Sequence, residues 1–181
     1  MNGLVIPGWQ IIKTDSVALD TFHAYPGGPI GKIVGESLLV FGSPNLSPLV
    51  GQFHDHLRND DELPFVDIVL LRGGCGDQPL ADFGRNACKG LVVAGFGGGT
   101  MPDNLNELVA ETANSGCTVV VSSRVSQVTV LAETMTSVKS KNVFPSGLLN
   151  PQKSALLLSL ALDGNLDALE LAELFNVFVI Q

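Results

Sequence analysis

Three short apolar runs constrain this chain more than anything else in it. They are VDIVLL (66–71), LVVA (91–94) and TVVVSS (118–123). Each is continuous rather than alternating and rich in β-branched residues, the pattern of a strand covered on both faces. Between the second and third, Leu105, Leu108, Val109 and Thr112 fall on one face at helical spacing. Strands that alternate with helices of this length make β-α-β units, hence a parallel sheet with right-handed crossovers and helices on both faces.

The local signals fill in the rest. Thr100 is placed to N-cap the middle helix, with Pro102 and Asp103 in its first turn and Gly116 at its end. A short helix is expected over 79–87. Asn150-Pro151 starts another helix as cap and first residue. The run ALLLSLAL is apolar nearly all round, so that helix should be largely buried, and Asp163-Gly164 stops it. Leu166–Phe175 forms a last helix. Upstream, Ile30–Val34 and Ser37–Phe41 flank Gly35-Glu36, a hairpin signal. The fold class is therefore α/β: a small flavodoxin-like parallel sheet of about four strands flanked by helices, preceded by a β-hairpin extension. Residues 1–45 form the extension, 46–64 a polar connector and 65–181 the sheet domain.

Composition excludes several functions. The 181 residues carry a net charge of −8, with Lys and Arg scattered singly. An acidic surface repels phosphate backbones, so no nucleic-acid partner is expected. No apolar run approaches the ~18 residues of a membrane span, and the first residues lack a signal-peptide pattern, so the cytoplasm is the expected location. Cys75, Cys88 and Cys117 include no C-x-x-C pair, and buried free thiols are the plain reading over metal or disulfide.

The most chemical stretch is LVVAGFGGGTMPDN (91–104), where a strand runs into glycines at the sheet's carboxyl edge, the place ligands gather in parallel sheets. A G-x-G-x-x-G fingerprint would need glycine at 95, 97 and 100, and position 100 is threonine. A P-loop fails because no Gly-Lys-Ser/Thr follows, so no nucleotide or other cofactor is expected. Two readings stay open on spacing alone: glycines needed for close packing, or loop N–H groups holding a small anionic or amide substrate.

Other candidates are weaker. His54-Asp55-His56, with Asp60 or Asp61, has metal-like spacing but lies in the polar connector, where a solvated loop is the expectation and no metal is assigned. His23 reads as structural. Ser122 and Ser123 end a strand, but no histidine follows them to build a triad. Arg124 reads as an anchor for a loop or carboxylate. Lys139 and Lys141 read as exposed.

The segments GLVVAGFGGGTMPDNLNELV, GCTVVVSSRV and PSGLLNPQKSALLLSLAL resemble the C-terminal domain of bacterial-type L-asparaginases and glutaminases. That family shows a strand ending in a G-x-G-N-G-N-type loop, a strand ending in Ser/Thr-Ser-Arg, and a Gly-x-Leu-x-Pro-x-Lys helix start, which Pro151 and Lys153 fit. IIKTDSVALDTFHAYPGGPIGKI (11–33) resembles the end of the family's larger N-terminal domain, which makes residues 1–45 a remnant of it and places Asp15 and Asp20 in scaffold.

The resemblance implies an amidohydrolase ancestry, asparagine to aspartate and ammonia. It also implies that the catalytic threonines belong to Thr-Gly-Gly-Thr-Ile and Thr-Asp-x motifs, neither of which occurs in these residues. No catalytic residue is therefore assigned. The substrate-facing positions that the C-terminal domain lends map onto Gly97, Gly98 and Thr100 in the glycine loop and onto Glu133 and Met135 after the Ser-Arg strand. The family's first loop Asn aligns with Gly98 and its acidic residue with Met135, two positions after Glu133. Neither glycine nor a thioether can do the hydrogen bonding or charge pairing those positions need.

The expected state is a pseudoenzyme or oligomerising subunit, inactive alone. Its partner would be a second copy or a homologous asparaginase chain. An apolar patch of Val5, Ile6, Trp9, Ile11 and Ile12 would provide the contact. The alternative is a domain repurposed as a small-molecule cyclase, isomerase or hydrolase, with Phe96 and Met135 lining an apolar pocket for a metabolite.

Overall fold

The computed structural model describes residues 1–25, 27–43, 53, 62–74, 76, 80, 88–135 and 140–178. The chain divides into two compact units, Met1–Leu46 and Ser47–Gln181.

The first unit is strand and turn. β1 (Leu4–Val5), β4 (Gly31–Val34) and β5 (Ser37–Val40) form an antiparallel sheet in the order β1-β4-β5, and β2 (Ile11–Lys13) pairs with β3 (Phe22–Ala24). The expected hairpin is present, with Val34 opposite Ser37 and Gly35 at φ +60° in the turn. Asp15 organises the β2–β3 connection by accepting the backbone N–H groups of Val17 and Ala18 at 2.6 and 2.8 Å. Those bonds hold its carboxyl below the usual aspartate range. Thr14 spends its hydroxyl on the Thr21 carbonyl at 3.1 Å.

The residues of the expected apolar patch are partly covered. Val5, Ile6, Trp9, Ile11 and Ile12 are all half-buried. Exposed apolar residues occur on the β2–β3 connection, at Val17 and Leu19, and along the hairpin, at Ile33, Val34, Leu38, Leu39, Val40 and Phe41, with Val40 69% exposed. Strand pairing, which composition does not reveal, decides which side chains are covered.

The second unit is built on a parallel sheet of β6 (Val66–Leu70), β7 (Gly90–Gly95), β8 (Thr118–Ser123) and β9 (Val143–Pro145), in the order β6-β7-β8-β9. Leu91, Val92, Val93, Ala94, Val119, Val120 and Val121 have no exposed surface. Burying a side chain of this kind is worth about 1.5–3 kcal/mol, so the central pair anchors the domain. β6 departs from expectation: it is an edge strand, and Leu70 is 58% exposed.

α1 (Asp103–Asn114) packs Leu105, Val109 and Ala113 on the face carrying Leu91, Val93, Val119 and Val121. α2 (Pro151–Asp163) covers the other face, where Leu158 and Leu162 lie so close to Gly90 that a methyl there would stand 2.9 Å from each. The Asn150 side chain caps α2 by accepting the Lys153 N–H at 2.9 Å, with Pro151 at its first position. α2 is only half-buried, since Leu156 is 58% exposed. α3 (Ala168–Asn176) starts with a capping box between Asp167 and Glu170. Just after it, the Phe178 carbonyl accepts the Leu148 N–H at 2.9 Å. It also lies directly over Gly147, which holds φ +59°; any side chain there would collide with it.

The helix expected over 79–87 lies outside the described residues, apart from Leu80. Among the described residues no helix is long and apolar enough to cross a membrane.

Candidate functional site: the glycine loop and its neighbours

β7 ends against a tight turn. Phe96 and Thr100 bridge each other: Phe96 N–H donates to the Thr100 carbonyl and Thr100 N–H to the Phe96 carbonyl, both at 2.8 Å. The Thr100 hydroxyl also bonds the Phe96 carbonyl, at 3.0 Å. Thr100 therefore closes the glycine loop and does not cap α1. Pro102 occupies the cap position, with no side-chain cap bond.

The glycines have distinct reasons. Gly97 and Gly99 hold φ of +45° and +90°. A Cβ on Gly95 would stand 2.8 Å from the Thr100 carbonyl, and one on Gly99 2.8 Å from Val130. Gly98 is different. It has no left-handed backbone, and the nearest atoms to a Cβ there are those of the Thr134 side chain, from 3.4 Å.

The structure brings the two sequence-predicted segments together. After β8 the chain forms a 3-10 turn, Ala132–Met135, under the glycine loop. The Thr134 hydroxyl donates to the Gly98 carbonyl at 2.6 Å, and it accepts the Leu131 N–H at 3.1 Å. Glu133 and Thr134 are exposed beside the half-buried Gly98, while Gly97 and Thr100 are exposed on the loop itself. Met135 is only 9% exposed and packs in the core with Val121 and Val130. Thr134 is the residue that sequence reasoning missed; nothing in its local pattern marks it.

Arg124 buttresses the loop from the end of β8. Its guanidinium lies 4.6 Å from the centroid of the Phe96 ring, and Nη1 donates to the Leu71 carbonyl at 3.2 Å. It is an anchor, as expected, and its targets are an aromatic face and a strand-end carbonyl. Phe96 lines a cavity of about 160 Å³ with Arg72, Pro102 and Leu105, and Met135 is not part of that lining.

Chemically the site is spare. Two loop amides, Gly99 N–H and Thr100 N–H, are spent on the Phe96 carbonyl. Ser122 has no exposed surface and gives its hydroxyl to the Leu149 carbonyl at 3.0 Å, and Ser123 accepts the Val125 N–H at 3.0 Å. Neither is placed as a nucleophile. Burial holds the Lys153 ammonium below the usual lysine range. His23 is exposed on β3. Among the described residues no group of three or more His, Cys, Asp or Glu could hold a metal. The His54-Asp55-His56 segment, with Asp60 and Asp61, lies outside them, as does Lys139; Lys141 is exposed.

Residues 65–175 match the family described as the Glutaminase/Asparaginase C-terminal domain. Over 178 residues, 98% of this chain, the sequence is 29% identical to L-asparaginase 2 of Escherichia coli (strain K12), covering 51% of that protein. It is 30% identical over 180 residues to probable L-asparaginase 1 of Schizosaccharomyces pombe, of which it covers 47%. Among solved structures it is similar to that of a probable cytoplasmic L-asparaginase from Campylobacter jejuni, with a TM-score of 0.73 and 28% identity, covering 96% of this chain and 53% of that one. The chain thus spans about half the length of the curated relatives it matches. On this match and this fold, the chain belongs to the glutaminase/asparaginase family through its C-terminal domain.

Proposed function

We propose that this chain is an asparaginase-type subunit that does not hydrolyse an amide by itself and acts as a pseudoenzyme, docking on a second copy or on a homologous asparaginase chain. One observation carries the reading. The two positions through which the family's C-terminal domain would reach a substrate are a glycine with only backbone to offer, Gly98, and a methionine turned into the core, Met135. Glu133 remains as an exposed carboxylate one residue from the Thr134 bond to Gly98. With no activated threonine, serine or cysteine beside a base on these elements, covalent catalysis has nothing to start from.

The docking half of the reading is supported by the first unit. None of the buried apolar core residues of the described chain precedes Phe53, while the β4–β5 hairpin exposes six large apolar side chains. Apolar surface exposed in this way is stabilised by burial on a partner. The cytoplasm is the compartment we assign, the one named for the similar Campylobacter jejuni protein.

The test is ammonia release from asparagine and glutamine by the purified 181-residue protein, alone and mixed with a full-length relative, alongside light scattering and pull-down. We expect no turnover alone and a stable complex. Turnover alone that vanishes in Thr14→Ala or Ser122→Ala would overturn the catalytic half, and a clean micromolar monomer that captures no relative would overturn the docking half.

A further inference from the structure

A second feature stands at the opposite end of the sheet from the glycine loop. Cys88 and Cys117 lie just before β7 and β8. Gly90 is opposite Thr118 in the parallel register, and the ladder reaches one residue further, with Thr118 N–H directed at the Lys89 carbonyl at 3.5 Å. The two cysteines therefore sit at neighbouring strand entrances, offset by one residue. Adjacent strands run about 4.8 Å apart, so the two chain segments that carry the cysteines are close neighbours, and Cys88, which lies before the regular ladder of β7, is not bound to that strand's side-chain alternation.

The two cysteines also share one environment. Both cysteines pack against the same core cluster, and both line one cavity of about 770 Å³ with Lys89, Leu108, Glu111 and Thr112. The Cys117 thiol reaches toward the Lys89 carbonyl at 3.9 Å, and the Cys88 sulfur lies 2.9 and 3.2 Å from the Gly90 and Phe65 carbonyls, so closing the bridge turns the Cys88 side chain from Phe65 toward Cys117. Both are unpaired thiols in this structure.

We propose that Cys88 and Cys117 are a redox-modifiable dithiol that closes to an intrachain disulfide across the entrances of β7 and β8 by exchange with a small-molecule disulfide. One cysteine, as thiolate, attacks the small disulfide, forming a mixed disulfide and releasing one thiolate of the reagent. The second cysteine then attacks the cysteine sulfur of that mixed disulfide and expels the other half. Two cysteine thiols lose two electrons and two protons, and one small disulfide becomes two thiols. Burial disfavours both thiolates, so exchange is slow at neutral pH. The charged groups around the pair are Lys89 and Glu111 on the cavity wall and Asp67 beside Cys88.

The test uses the full chain carrying Cys75→Ser, so that only this pair can react, with oxidised glutathione as the probe. The expected product is lighter by two hydrogens, carries no glutathione, resists alkylation, and yields a peptide linking Cys88 to Cys117. Adding Cys117→Ser should trap the mixed disulfide at Cys88. A folded Cys75→Ser protein that keeps two alkylatable thiols, or ends as a glutathione adduct without the linked peptide, overturns the proposal. None of these readouts depends on partner binding or amidase activity.

Discussion

The Thr134 hydroxyl and the Gly98 carbonyl are joined by a 2.6 Å hydrogen bond across thirty-six residues of sequence. The bond ties the glycine loop to the turn that carries Glu133. Thr134→Val keeps the shape and removes the donor, and should cost about 1 kcal/mol in urea unfolding. Thr134→Ser should restore most of it. Faster amide exchange at Gly99 and Thr100 in the valine variant is the local sign; unchanged exchange would show that the loop holds its shape without the bond.

Gly98 and Gly99 should respond oppositely to a side chain. At Gly98→Asn the nearest neighbour of the new Cβ is the exposed Thr134 side chain at 3.4 Å and no left-handed backbone is needed, so the change in stability should stay within about 0.5 kcal/mol. Gly99→Ala combines φ +90° with a 2.8 Å approach to Val130, and should destabilise by about 2 kcal/mol or more. Thermal unfolding of the two variants side by side decides it; similar melting temperatures would contradict the steric account.

Arg124 should matter through its plane. Arg124→Ala loses the stacking on Phe96 and the bond to the Leu71 carbonyl, about 1 kcal/mol in all at this exposed site. Arg124→Lys should recover only part, because an ammonium cannot both stack and reach the carbonyl through a fork of donors. A double-mutant cycle with Phe96→Leu measures the shared part, and a coupling of zero would remove the ring from the argument.

Alkaline pH should weaken the fold through Cys117. Burial first, and the neighbouring Cys88 second, push its thiol from 9.0 up to about 12. The unfolded chain then releases this proton before the folded one does. Stability is complete below about pH 9 and declines as pH rises toward about 12. Comparing Cys117→Ser with the parent at about pH 8 and about pH 10.5 isolates the effect: the stability difference should shift in favour of the serine variant at the higher pH. A difference that stays constant would place the thiol in contact with solvent.

Much of the fold is legible in the sequence because its strongest elements are locally consistent. Leu91–Ala94 and Val119–Val121 are apolar without interruption and have no exposed surface. Asn150-Pro151 and Gly35-Glu36 each serve as a start or turn with the geometry their chemistry favours. Sequence and structure part where neighbours decide. β9 is only Val143–Pro145 and owes its strand character to β8. β6 has the sequence of a covered strand, but strand order leaves it at the edge. Thr100 has the position of a cap, just before Pro102; the turn back to Phe96 claims its N–H, carbonyl and hydroxyl first. At the site, the loop and Glu133 are locatable from the resemblance, whereas Met135's direction and Thr134's bond depend on how the 3-10 turn sits beneath the glycines.

The stretch around Gly147, Pro151 and Lys153 that fits the family's helix-start motif has a mechanical job: with the Phe178 carbonyl pressed over Gly147, it is the buckle that holds the segment after α3 in place. A buckle is needed whether or not the machine it belongs to still runs. Agreement in this stretch certifies assembly, and the state of the chemistry has to be judged at Gly98 and Glu133.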